Sequence, residues 1–164
     1  NTRKPIADRL IQLVSQATQN DSEAMKHIRK NCAYFLNKIA TTADEVTPLI
    51  TYYENITRWT HRDSADYHTA IRGLRAIVAD KPALIAPDVH EHFTRFLKAI
   101  PHIHPYQLKY RVRGPVSLDE GTTIIEAENE SQAREKAMQY MRHFDDGYGG
   151  SQKEILSITR IISD

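Results

Sequence analysis

Histidine and aspartate gather in three places where their spacing invites chemistry: His61 and His68 with Asp63 and Asp66 between them, His90-Glu91-His92, and His102-Ile103-His104. Imidazole and carboxylate are common ligands of zinc and related ions. A metal-assisted hydrolase built from His61, Asp63, His68, His90, His102 and His104 is therefore one reading of the chain. Helical spacing works against it. Residues two apart on a helix project about 200° apart, so His90 and His92 cannot share an ion. The second His that a zinc-protease helix needs four positions on is missing after His92. His102 and His104 would share one side of an extended segment, but they stand between Pro101 and Pro105 at a chain junction. The plainer account makes them solvated residues beyond a helix C-terminus, where the partial negative charge favours the protonated ring. No cofactor is expected.

Other catalytic patterns are weaker. Cys32 is the only cysteine and falls on an apolar helical stripe with Met25, Ile28, Phe35 and Ile39, so a buried, inert thiol is expected. A single cysteine also excludes an intramolecular disulfide. No Gly-x-Ser-x-Gly turn occurs, and Gly147-Tyr148-Gly149-Gly150 leads toward a strand rather than a helix whose amides hold phosphate. The carboxylate pairs Glu126/Glu128 and Asp145/Asp146 have the spacing of any solvated strand or turn.

Basic residues interleaved with an aromatic form the stronger pattern. Arg58-Trp59-Thr60-His61-Arg62 links two helices, and Arg72 and Arg75 follow on the outer face of the next, while Lys109, Arg111 and Arg113 alternate along a strand. Such surfaces suit phosphate backbones and base stacking. Against nucleic acid stands the charge: 22 Lys and Arg oppose 21 Asp and Glu. The sequence pI of about 8.1 is below that usual for a nucleic-acid domain. Glu126 and Glu128 are also expected to pair with the strand arginines across a hairpin.

These residues need positioning elements, and the chain of 164 residues, 40% hydrophobic and 26% charged, has enough for an ordinary globular fold. Residues 1–104 are expected to form a five-helix bundle. Ile6, Leu10, Leu13, Val14 and Ala17 mark the first helix; Met25, Ile28, Cys32, Phe35, Leu36 and Ile39 the second, capped by Asp21. Val46, Leu49, Ile50, Tyr53 and Ile56 mark the third, with Pro48 in its first turn. The fourth runs from Thr60 to Asp80, weakened by Gly73, and the fifth opens at Pro87-Asp88 with Val89, Phe93, Phe96, Leu97 and Ile100 inward.

Residues 105–164 read as a β-β-α-β unit packed on the bundle, since so small a unit has little core of its own. Leu108, Tyr110 and Val112 lie on a first strand, Asp119-Glu120-Gly121 is the turn, and Thr122–Glu128 is the second strand. Asn129 caps a helix with Gln132 as capping-box partner, the segment Asp145–Ser151 is a loop, and Glu154–Ile162 is a last strand. The stretch from Tyr110-Arg-Val-Arg-Gly-Pro to Ile161, centred on Ile124–Ala137, resembles small strand-hairpin-helix-strand modules of phage accessory proteins and of one archaeal large-subunit ribosomal protein. The likeness covers about a third of the chain. It implies a β-β-α-β fold and a phage or mobile-element source, and carries no functional residue across.

The α+β chain is thus expected to be a non-catalytic binding or adaptor protein. Its surface would be Arg58, Trp59, Arg62, Arg72, Arg75, Lys109, Arg111 and Arg113, and its partner a protein or nucleic acid. A structural homo-oligomer is the third alternative. No secretory signal or membrane span is apparent, so a cytoplasmic setting without a membrane partner is expected; a start at Asn1 suggests processing or trimming.

Overall fold

The computed structural model describes residues 2–114, 116–144 and 152–162. It has an α+β layout, helices first and then mainly strands, in two compact units, Asn1–Ile100 and Pro101–Asp164. No described helix is long and apolar enough to cross a membrane.

The first unit contains α1 (Arg3–Ser15), α2 (Glu23–Ile39), α3 (Ala43–Trp59), α4 (Ala65–Asp80) and α5 (Pro87–Lys98). α3 is central and touches α1, α2 and α4, while α5 packs on α4. Leu36, Leu49, Leu74, Ile77, Val14 and Val46 are fully enclosed. Burying a Leu or Ile contributes roughly 1.5–3 kcal/mol, so these six side chains dominate the stability of the unit.

α2 is turned relative to the expected stripe. Ile28 and Phe35 are exposed and Cys32 is only half-buried, whereas Arg29, Ala33 and Leu36 face inward. Two causes act together. Ala7, Ala33 and Ala40 are small enough for α1 and α2 to approach closely. Asp21 then draws Arg29 inside through a 2.7 Å bond to its Nε. With Asp21 so engaged, Ser22 caps α2 in its place, accepting from the Met25 amide at 3.2 Å. Ile6 and Phe96 are likewise exposed rather than inward, because Ala7, and Phe93 with Leu97, supply the contacts of α1 and α5.

α3 contains Pro48 at its sixth position, beyond the first turn. The helix lacks the amide that would meet the Asp44 carbonyl, and it continues because Val46, Leu49 and Ile50 are buried on either side. α4 starts at Ala65, not Thr60. Ser64 is its cap, accepting from the Tyr67 amide at 3.2 Å.

In the second unit, β1 (His104–Arg113), β2 (Leu118–Ala127) and β3 (Gln152–Arg160) form an antiparallel sheet of order β2-β1-β3. Pro105 lies inside β1 instead of closing a junction, and its carbonyl accepts from the Ile161 amide at 2.9 Å. β1 ends at Arg113 and β2 starts at Leu118, and between them the Gly114 amide donates to the Ser117 carbonyl at 2.8 Å. Asp119, Glu120 and Gly121 are therefore strand residues, opposite Val112, Arg111 and Tyr110. Pro115 and the expected loop at Asp145–Ser151, with its glycine run, lie outside the described residues.

α6 (Glu130–Met141) covers one sheet face. Ala133 and Ala137 let it sit close to Tyr106, Leu108, Ile125 and Ala127, with Tyr110, Tyr140, Ile155 and Ile158 around them. Asn129 caps α6 as expected, accepting from the Gln132 amide at 2.8 Å, while the Gln132 side chain accepts from the Glu128 amide at 2.7 Å.

Candidate functional site

The expected cationic surface is divided among different tasks. Arg58, in the last turn of α3, is paired with Glu54. Arg62 is exposed in the turn after α3, and Arg72 reaches Thr69 Oγ1 at 3.4 Å on α4. Arg75 is not on an outer face: it is half-buried and donates to the Ile100 carbonyl at 2.6 Å, and burial lowers its pKa. On the sheet, Lys109, Arg111 and Arg113 lie on the side away from α6. Arg111 meets Glu120 at 2.8 Å and Glu154 at 3.7 Å, rather than the anticipated Glu126 and Glu128.

The histidines also separate. His61 lies 3.6 Å from Asp63, both well exposed, and His68 stacks edge-on against Tyr67. His90 contacts the Val78 carbonyl at 3.3 Å, and His102 stacks on His104, whose Nδ1 is 3.0 Å from Arg160. Among the described residues no three His, Cys, Asp or Glu side chains come together around a point where a metal ion would sit.

Arg111 and Arg113 line a shallow, polar pocket on the sheet with Gln152, Lys153 and Glu154, whereas Trp59 enters an aromatic one. Trp59 lines a pocket of about 630 Å³, open mouth included, between α2, α3, α4 and the segment after α1. α3 supplies Tyr52, Tyr53, Ile56 and Trp59; α4 supplies Asp66, Thr69 and Ala70; α2 supplies Lys26, Arg29 and Lys30. The spacing of Lys26, Arg29 and Lys30, i, i+3 and i+4, puts all three on one helical face. Sequence periodicity alone marks that stripe as solvated, because the aromatic wall opposite it belongs to another helix.

Arg29 has a side chain 9% exposed. Its Nε donates to Asp21 and its Nη1 to the Leu13 carbonyl, leaving Nη2 without a partner among the described residues. Asp21 also accepts from the Thr18 amide at 3.1 Å. The Arg29 hydrogen bond, followed by that amide, lowers the Asp21 pKa.

The adjacent rings of Tyr52 and Tyr53, with centroids 5.3 Å apart, are each 6% exposed. Neither hydroxyl has a hydrogen-bond partner among the described residues. Burial pushes Tyr53 up to about 12 and Tyr52 higher still, so both hold their protons at any physiological pH. Among the described residues no fully buried side-chain nitrogen or oxygen lacks a partner, so these three unpartnered groups keep some access to solvent although their side chains are largely enclosed. The recess therefore combines aromatic walls with polar side chains that a ligand can reach, the features of a small-molecule or side-chain binding site.

No family model matches the sequence, and neither a curated protein nor a solved structure matches it.

Proposed function

We propose that the protein is a non-catalytic binding or adaptor protein whose helical unit receives an apolar or aromatic group of an acidic protein partner in the Tyr52–Tyr53–Trp59 pocket. The pocket itself is the observation that supports this reading: an aromatic recess with Lys26 and Lys30 at its rim. The lysines would steer an acidic segment to the opening, and the rings would give the affinity, as aromatic anchors commonly do at interfaces. The sheet arginines are less suited to the role, because the pocket beside Arg111 and Arg113 has no aromatic residue in its lining.

Trp59 is the only tryptophan, so its emission reports on this pocket alone. Short acidic peptides, each with one aromatic or branched aliphatic residue, should shift that emission as a pooled library and as resolved members. Replacing both lysines, Lys26→Glu and Lys30→Glu, should weaken binding at least tenfold and flatten its salt dependence. Peptides that leave Trp59 unchanged while an oligonucleotide shifts it would overturn the reading in favour of nucleic acid. Peptide binding indifferent to both lysine changes would overturn the placement of the site.

A further inference from the structure

We infer that the pocket selects a carboxylate carried on an apolar or aromatic stem, seated by Arg29 Nη2 and the hydroxyls of Tyr52 and Tyr53. The inference rests on the proposed binding role of the pocket and adds the chemistry of the group bound there. All three groups are donors without protein partners among the described residues, and all belong to side chains at least nine-tenths buried. Asp21 already meets Arg29 at Nε, so Nη2 and the two hydroxyls are the donors left over in the lining, and a carboxylate offers such donors two oxygens and several lone pairs.

The charges disfavour a dianion. Lys26, Arg29 and Lys30 stand against Asp21 and Asp66 in the lining, and Glu23 pairs with Lys26 at 3.1 Å. A phosphate dianion would meet these carboxylates with no cationic surplus to offset it, whereas a single carboxylate brings half that charge. Ile56, Trp59 and Ala70 supply an apolar wall for the stem. The tyrosines remain donors across the working pH range because burial holds them protonated.

Two sources could present this group: a small free acid, or the C-terminal carboxylate of a polypeptide ending in an apolar residue. The test follows the Trp59 indole N–H by NMR in the full chain during titration with 3-phenylpropionate and with its neutral amide. A parallel arm uses a short peptide ending in Phe, with a free or an amidated C-terminus. The acid forms should bind roughly tenfold or more tightly than the amides, the difference expected from a charge-assisted hydrogen bond. Whichever arm shows the larger discrimination identifies the source.

Tyr52→Phe and Tyr53→Phe remove hydroxyls that no described side chain uses, so the fold should persist with an unchanged or raised melting temperature. Each should weaken the acid several-fold and leave the amide unaffected. Equal binding of acid and amide would overturn the carboxylate inference while leaving the pocket reading intact. Acid binding untouched by both tyrosine changes would overturn it as well. Failure of every acid form to move Trp59, when the peptide library does move it, would do the same.

Discussion

The ring of Tyr53 lies across Gly73, so closely that a Cβ at position 73 would stand 2.5 Å from Cζ and 2.7 Å from Cε2. α4 accepts a residue that weakens its helix because α3 needs that space for an aromatic side chain. Gly73→Ala would improve helix propensity by about 1 kcal/mol if the site were open. The overlap with a buried ring outweighs this gain, so the variant should lose about 1–3 kcal/mol in denaturant unfolding. Shifted Trp59 emission should accompany the loss, because Tyr53 shares the pocket wall. A variant at least as stable as the parent would show that Tyr53 has room to move.

The turned register of α2 makes a contrast between adjacent residues. Phe35 is 58% exposed and Leu36 fully enclosed. Leu36→Ala should cost about 2–5 kcal/mol, and Phe35→Ser under 1 kcal/mol despite removing the larger side chain. Urea midpoints of the two variants check this. The reverse order would restore the helix face expected from hydrophobic size.

Asp21 and Glu45 both hold their carboxyls below the ordinary values of 3.8 and 4.5. For Asp21 the Arg29 hydrogen bond leads; for Glu45 the Thr41 amide leads, with Arg3 following. A depressed native pKa means that the unfolded chain takes up the proton first as pH falls. Their stabilisation is therefore complete above the ordinary range and lost as pH drops through the native values. Thermal melts between about pH 2 and 6 should show a declining acid limb, flattened in the Asp21→Asn, Glu45→Gln double variant. A parent protein with no acid limb would contradict the assignment.

Pro48 leaves the Asp44 carbonyl without its helical amide. Pro48→Ala restores that donor and removes the ring from the helix interior, so it should raise stability by about 1–2 kcal/mol, read as a higher melting temperature. No gain would mean that packing of the half-buried proline ring offsets the missing bond.

Periodicity carried much of the helical layout because large apolar residues repeat along α3 and α4, where size and burial agree. It failed on α2 because the seam there is made by Ala33 and Ala40, and because Arg29 enters the interior with its own counter-charge. A pattern weighted by hydrophobicity turns such a helix the wrong way. The hairpin was displaced for a related reason: Asp119-Glu120-Gly121 has turn composition, yet Gly121 is needed in β2, where a Cβ would overlap the Tyr110 ring opposite it. Of the pocket, Trp59 could be marked from its basic neighbours. Tyr52, Tyr53 and the α2 cations could not, since their meeting depends on how three helices pack.

Two adjoining carbonyls at the end of α2 are held by residues far away in the chain: Ile39 accepts from Arg3 at 3.2 Å and Ala40 from Lys81 at 2.7 Å. Helix ends ordinarily fray, exchanging their amides with solvent long before the interior does. Here the final turn is tethered to the opening of α1 and to the residue after α4, so it can loosen only when those anchors release. The C-terminal end of α2 should thus exchange its amide hydrogens as slowly as the middle of the helix. Trimming the chain past Arg3 should speed that exchange at a place thirty-six residues further along.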